Sequence, residues 1–480
     1  MFFKLKDRVL FRRYAEYGYL TDNSMFGYHF LNDNNTTLEE KFVSESGAVM
    51  LEMLDKAPQD LDCIVKKLMD VFVGVGFDEL KQDTLSFFMQ LVEAGYLSCG
   101  ESPDLCSDDY RTAQESKRKS IIVDNGVVTD NCSKWTVPKN DLLRSIHIEV
   151  ANVCNERCVH CYIPHKYKKK SIDSKLFYQI VEDGRELNII NVTLSGGEPL
   201  LHPDFIKFLV RCRALDLSVN VLSNLTLLTT DILSEMKRNP LLSVQTSIYS
   251  MDAHTHDAIT GVEGSLEKTK TAVEQLISEG IPVQISCPIM KQNKDSFSDV
   301  IKWGNFNNIS VLADNVIFAA YDHSNENLQH RLSLEEVETV FDKQLTHDYA
   351  ESLRRSAREK CMATGNDPIC TICRYYFCVS VDGEVFPCVG WQSKVIGNLN
   401  DCSIKEIWEE SKEIQYLRKI KRNQFPKCVT CEDRGYCTVC MMSNSNEDSD
   451  GDMFRIHEFH CKVASMMHSK VDSYFKQGRE

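Results

Sequence analysis

The stretch SIHIEVANVCNERCVHCY, running from Ser145 to Tyr162, decides how this chain is read. Its first half reads as a strand. The strand runs straight into Cys154, Cys158 and Cys161, spaced C-x3-C-x2-C, in a loop at its carboxyl end, where parallel-sheet enzymes put their chemistry. Three thiolates so close together call for a soft cation, either zinc or an iron–sulfur cluster. Three ligands from one loop leave one iron of a cubane without a protein thiolate and open to a substrate or cofactor. The competing reading is a zinc site completed by His160 or His165.

Outward from this loop, strand and helix alternate. The further strand candidates are residues 191–197 (NVTLSGG), 217–224 (LSVNVLSN), 243–249 (SVQTSIY), 282–289 (PVQISCPI) and 315–321 (NVIFAAY). Helical spacing fills the gaps at 173–187, 204–215, 230–238, 265–280 and 299–306. Six strands, each followed by a helix, predict an α/β unit on a parallel sheet over 141–345. Residues 1–100 read as a small α+β unit. Short strands are expected within 9–23 and 26–33, then helices within 45–57, 61–72 and 83–97, the last ending near Gly95. Residues 101–140 turn polar and read as a linker with one short strand at 121–124 (IIVD). From 346 to 480 the alternation stops and cysteine density rises, with 11 of the 20 cysteines between 361 and 461.

Composition narrows the class. The 480 residues are 42% hydrophobic and 26% charged, so long disorder is not expected. A net charge of −15 disfavours nucleic acid as the main partner, since phosphate binding needs a basic face. Charges at Lys4, Lys6, Asp7, Arg8, Arg12 and Arg13 leave no apolar core for an export signal. No run of 18 apolar residues predicts a membrane span. The expected location is the cytoplasm, where clustered cysteines point to metal or catalysis rather than disulfides.

The cysteine loop, with aromatic Tyr162 after its last thiol, strongly resembles the cluster loop of radical S-adenosylmethionine (SAM) enzymes. Ser195-Gly196-Gly197-Glu198-Pro199 follows one strand–helix unit later and resembles the motif that contacts the SAM amino group. Glycine lets a backbone approach a ligand closely. Ser223 and Asn224 resemble the family's Thr-Asn-Gly turn, with Leu225 in place of the usual Gly. Ser247 resembles a ribose-contacting serine, although a lone serine at a strand end also reads as ordinary structure. The resemblance implies a partial (β/α)6 radical SAM barrel in which Cys154, Cys158 and Cys161 bind three irons of a [4Fe–4S] cluster. SAM would chelate the fourth iron, and its reductive cleavage would yield a 5′-deoxyadenosyl radical.

The C-terminal third holds a second constellation: Cys370-x2-Cys373, the run Gly383 to Cys388 (GEVFPC), then Cys428-x2-Cys431-x5-Cys437-x2-Cys440, and Cys461. Zinc ribbons are the competing metal reading. With Val395 to Leu399 (VIGNL) and Ile407-Trp408, the pattern resembles the SPASM extension of peptide-modifying radical SAM enzymes. It departs in the two residues between Cys437 and Cys440, where three are commoner. The resemblance implies two auxiliary [4Fe–4S] clusters, three in all. Cys370, Cys373, Cys388 and Cys440 would hold one, and Cys428, Cys431, Cys437 and Cys461 the other. Cys373 is the weakest member, and Cys378 or a substrate thiolate could replace it, although Cys378 also reads as a buried strand residue. Cys63, Cys99, Cys106, Cys132, Cys212, Cys287, Cys361 and Cys402 show no partner spacing.

Residues 1–100 resemble the winged-helix-like element with which enzymes of this kind bind the leader of a ribosomally made precursor, by strand addition; a plain packing domain is the alternative. The lysine run Lys166, Lys168, Lys169 and Lys170 reads as a solvated loop face, the alternative being a surface that meets an acidic peptide near the active-site mouth. The implied function is crosslinking of a precursor peptide, a thioether first and a carbon–carbon bond second, with electrons from an external donor such as flavodoxin or ferredoxin. The alternatives are oxidation of one Cys or Ser side chain, as in anaerobic sulfatase-maturating enzymes, and a non-catalytic multi-cluster electron carrier. No residue stands out as the catalytic base.

Overall fold

A computed structural model describes residues 1–22, 25–31, 38, 40–107 and 141–477. The N-terminal unit contains β1 (Phe2–Leu5), β2 (Leu10–Arg13), β3 (Tyr17–Thr21), β4 (Lys41–Ser44), α1 (Glu45–Leu51), β5 (Gln59–Asp60), α2 (Leu61–Leu68), α3 (Phe77–Glu93), β6 (Leu97–Gly100) and α4 (Pro103–Ser107). Two three-stranded sheets, β5-β1-β6 and β2-β3-β4, enclose an apolar core with the helices. Asp60 caps α2 by accepting from the N–H groups of Asp62 and Cys63. Past α3, Gly95 takes a left-handed φ of 89° that turns the chain into β6. Within 26–33 the described residues form no strand, only a single bridge from Phe30 to Ile309. The strand expected at 121–124 and Cys132 lie outside the described residues.

The barrel strands are β7 (Ser145–Ala151), β8 (Asn191–Gly196), β9 (Ser218–Leu222), β10 (Leu242–Ser247), β11 (Val283–Ser286) and β12 (Ser310–Leu312). Between them run α5 (Ser174–Glu186), α6 (Phe205–Ala214), α7 (Thr230–Arg238), α8 (Ala253–Thr260), α9 (Ser265–Ser278) and α10 (Phe297–Phe306). All six strands pair in parallel, in chain order, as one open barrel sheet. The sixth strand is not NVIFAAY but Ser310–Leu312. The segment after it has no regular secondary structure, and backbone pairing with β11 outweighs the more apolar run.

The C-terminal region continues that sheet. β13 (Tyr376–Val379) pairs in parallel with β7, and β14 (Glu384–Phe386) and β15 (Gly397–Asn398) follow as an antiparallel ribbon. Phe377, Trp391 and Trp408 belong to the same buried core as Ile146 and Val192, so barrel and C-terminal region share one interior.

The N-terminal unit docks beneath the barrel, at the amino ends of the strands. Leu10 and Tyr19 bury against Ile190 and Leu241, which precede β8 and β10. Arg12, fully buried, donates to the carbonyls of Ile189 (2.9 Å) and Asp216 (2.5 Å) and pairs with the Asp216 carboxylate. Residues 26–31 form a strap across the same end. Asn220 Nδ2 donates to the Phe26 carbonyl (2.5 Å), the Tyr28 N–H to Ser243 Oγ (3.0 Å), and the Leu31 N–H to the Asn308 carbonyl (3.1 Å).

Candidate functional site

At the opposite, carboxyl end of β7 the chain enters the cysteine loop. Its backbone is tied down on both sides: Arg157 and Val159 donate to the carbonyls of Thr260 and Ile259 at the end of α8. The three thiols come together there with Glu156. The Glu156 N–H lies 3.4 Å from Cys154 Sγ, and Cys158 Sγ lies 3.4 Å from Glu156 Oε2 and 3.8 Å from the Tyr249 hydroxyl. Burial pushes the Cys154 thiol up to about 11 and that of Cys158 higher, and pushes the Glu156 carboxyl up to about 7. A metal entering this loop must therefore displace thiol protons.

The two glycines of the SGGEP motif are required by backbone crowding against this loop. A Cβ on Gly196, at φ 124°, would stand 2.0 Å from the Ala151 carbonyl oxygen; one on Gly197 would stand 2.4 Å from that of Val153. Without side chains there, Gly197 and Glu198 donate to the Ala151 and Val153 carbonyls (2.6 and 2.9 Å). Glu198 is fully buried. Its Oε1 accepts from Ser223 Oγ (2.7 Å) and the Leu200 N–H (2.9 Å), its Oε2 from the Asn224 N–H (2.8 Å). Its carboxyl, raised to about 7 by burial against those hydrogen bonds, joins the ends of β8 and β9. Leu225, which stands where the family's turn has Gly, is itself left-handed, at φ 62°.

Asn155 is a site residue that the motif reading missed. It donates to Thr226 Oγ1 (2.7 Å) and accepts from Asn224 Nδ2 (2.9 Å), linking the cysteine loop to the β9 turn. An asparagine between cysteines carries no signal of its own in one sequence. Ser247 ends β10 beside Ser286 in register. Tyr162, beside the last loop cysteine, faces Cys161 and also Cys388 of the C-terminal region, and burial holds its phenol well above its ordinary range. The lysine run divides: Lys166 and Lys170 pair with Asp322 and Asp382 at the surface, while Lys168 turns inward toward Cys161 and Cys154.

The C-terminal thiols fall into two groups. Burial raises Cys388 to about 12, with the neighbouring thiols of Cys440 and Cys370 adding to it; Cys373, fully buried at φ 55°, is raised to about 12 by burial beside Cys370 and Cys388. Cys378 on β13 faces the same group. Burial raises Cys437 to about 11, with Cys461, Cys428 and Cys431 as its neighbours. The described cysteines form no disulfide. Among the described residues no three His, Cys, Asp or Glu converge closely enough to hold one ion. A single zinc needs all its sulfurs about 2.3 Å from one centre. All-sulfur donor groups of this kind suit a soft metal centre such as an iron–sulfur cluster.

A model of the radical SAM superfamily matches residues 148–304, and a model of the SPASM iron–sulfur cluster-binding domain matches residues 370–432. The chain is a radical SAM/SPASM enzyme. It is 26% identical over 324 residues to the AdoMet-dependent heme synthase of Methanosarcina barkeri, a match spanning 62% of this chain and 90% of that one. It is 28% identical over 159 residues to the sporulation killing factor maturation protein SkfB of Bacillus subtilis, 33% of this chain and 38% of SkfB. In fold it is similar to Streptococcus suis SuiB, crystallised with its precursor peptide SuiA. That likeness has a TM-score of 0.60 at 14% identity and covers 96% of this chain and all of SuiB. Radical SAM/SPASM enzymes work with [4Fe–4S] clusters and SAM, and no helix among the described residues is long and apolar enough to cross a membrane.

Proposed function

We propose that this radical SAM/SPASM enzyme matures a ribosomally made precursor peptide by installing a crosslink, with a thioether favoured over a carbon–carbon bond. Cys154, Cys158 and Cys161 hold the SAM-binding cluster; bound there, cluster and SAM supply a 5′-deoxyadenosyl radical for hydrogen abstraction. Gly196 and Gly197 let the SGGEP backbone close onto the cysteine loop beside SAM. Glu198 fixes Ser223 and Asn224, and Ser247 and Tyr162 line the same end of the barrel. Cys370, Cys373, Cys388 and Cys440 hold one auxiliary cluster, Cys428, Cys431, Cys437 and Cys461 another, and a low-potential carrier delivers electrons.

The observation that carries the peptide reading is the N-terminal α+β unit. Its β4 ends the β2-β3-β4 sheet and pairs only with β3 among the described residues, with Phe42 exposed beside that edge. A leader added to β4 gains main-chain hydrogen bonds along the strand and a ring to pack on. The name of SkfB favours the same substrate class. Oxidation of one side chain, or a tetrapyrrole substrate such as the heme synthase name suggests, gives that edge no task.

The test is anaerobic reconstitution, followed by incubation with SAM, dithionite and synthetic peptides for every short reading frame flanking the gene. About twelve irons, 5′-deoxyadenosine, and a peptide lighter by two hydrogens are expected. Replacing Cys154, Cys158 and Cys161 together with Ala should abolish SAM cleavage and leave most of the remaining iron. Stoichiometric zinc with about four irons, or undiminished cleavage in the triple variant, refutes the assignment.

A further inference from the structure

Odd and even residues of β7 face opposite ways. Ile146 points at α5, its Cδ1 lying 3.1 Å from where a Cβ on Gly184 would stand, and Ile148 and Val150 follow it into the apolar core. His147 and Glu149 therefore face the barrel interior, where His147 Nε2 meets Ser195 Oγ. Glu149 stands in register with Ser195, the residue before Gly196, and is 2% exposed. Its Oε1 accepts from Gln392 Nε2 (2.5 Å), a side chain of the C-terminal region four residues beyond Cys388. No hydrogen-bond partner is seen for Oε2 among the described residues, and no cation pairs with the carboxylate. Such a group is expensive to bury, and its one hydrogen bond among the described residues, from Gln392 to Oε1, leaves Oε2 available. Tyr162, Tyr321 and Cys378 face it from the cysteine loop, the segment after β12, and β13.

We propose that Glu149 is the proton acceptor for the bond-forming step, with Gln392 as its positioning residue. The proposal rests on the crosslinking function above. Joining R–H to X–H with SAM gives R–X, 5′-deoxyadenosine, methionine and one H⁺. The hydrogen atom from R–H ends on 5′-deoxyadenosine. The electron that opens SAM is matched by the one the substrate radical releases to an iron–sulfur acceptor as the R–X bond forms. The remaining proton comes from X–H, and Glu149 Oε2 takes it. Burial raises the Glu149 carboxyl to about 8 against the lowering effect of Gln392, and burial holds the phenols of Tyr162 and Tyr321 and the thiol of Cys378 protonated above that range. His147, on the same strand, is lowered to about 4 by burial and is already neutral. Glu149 is thus the facing group that changes charge near neutral pH.

The test compares wild type, Glu149→Gln, Glu149→Asp and Gln392→Ala as anaerobically reconstituted holoenzymes, using the flanking-frame peptide that wild type crosslinks. Glu149→Gln should keep its iron, SAM binding and 5′-deoxyadenosine formation, while crosslinked product falls by about a hundredfold or more. Glu149→Asp should recover part of the loss. In wild type the product rate should rise with pH through an apparent pKa near 8. In Gln392→Ala that limb should move to higher pH, because the lost hydrogen bond favoured the carboxylate. Crosslinking by Glu149→Gln within a few-fold of wild type overturns the role, as does loss of product together with iron or SAM cleavage. A wild type that cleaves SAM yet joins no peptide overturns the crosslinking function itself, and with it the role of Glu149.

Discussion

At Gly196 a single methyl group decides whether two strand ends can meet. Alanine there would have to hold a φ of 124° and place its Cβ 2.0 Å from the Ala151 carbonyl oxygen, a contact that only backbone movement relieves. The Gly197 N–H bond to the same oxygen would be lost as the strands part. Gly196→Ala is therefore expected to cost about 3 kcal/mol of stability and to weaken SAM binding at least tenfold, read by denaturant titration and by equilibrium dialysis of the reconstituted protein. Unchanged SAM affinity would show that the glycines serve only the fold. The motif reading named these glycines for closeness to a ligand, whereas the nearest neighbours that exclude a side chain are backbone atoms of the cysteine loop. Sequence marks that a Cβ is not tolerated; it does not mark what excludes it.

Between elements, the Arg331–Glu447 pair joins the segment after the barrel to the helix following Cys440. Arg331 donates twice, at 3.0 and 2.6 Å, with Arg331 10% and Glu447 8% exposed at their side chains. Burial alone would raise the Glu447 carboxyl. The hydrogen bonds and charges of His460 and Arg331 outweigh burial and hold it down at about 2. A depressed folded-state pKa stabilises above the unfolded value, near 4.5, and that contribution is lost as pH falls toward about 2. Glu447→Gln should thus destabilise the protein by about 3 kcal/mol at pH 7, and the gap from wild type should narrow between pH 4.5 and 2. A gap independent of pH would show that packing, not charge, holds the contact. This pair joins residues 116 positions apart, and no local spacing announces it. The first five barrel strands were legible because each couples an apolar run to a helix. The sixth was misplaced because edge pairing at Ser310–Leu312 prevails over the more apolar run at 315–321. The N-terminal strands β1, β4, β5 and β6 were missed because they are short and, unlike β2, pair with partners distant in sequence rather than in a local hairpin. The cysteine groups were legible by spacing, whereas the grouping of Cys440 with Cys388 rather than with its neighbour Cys437 came from the family resemblance, and the fold brings Cys440 near Cys388.

Across the whole molecule, the N-terminal unit and the cysteine loop lie at opposite ends of the barrel. The N-terminal unit packs where β8 and β10 begin, against Ile190 and Leu241, and the cysteine loop opens where β7 ends. On the proposed function, a peptide held by β4 must reach past the full length of β7, which is seven residues. At about 3.3 Å per residue the strand spans roughly 23 Å. An extended peptide advances no faster than about 3.3–3.6 Å per residue, so roughly seven residues is the least that can separate the captured segment from the modified residue. Deleting residues 1–100 would test capture poorly, because it strips Leu10, Tyr19 and Arg12 from the barrel and bares an apolar surface. The sharper experiment shortens the precursor's spacer one residue at a time and leaves the enzyme intact. Binding should persist throughout, since the leader is unchanged, while crosslinking should collapse once the spacer falls below about seven residues. Phe42→Glu should do the reverse, weakening precursor binding about tenfold or more while leaving peptide-independent SAM cleavage intact. A precursor crosslinked efficiently across a spacer of two or three residues would mean that the leader is not held by β4 at this end of the barrel, and that capture happens beside the cysteine loop instead.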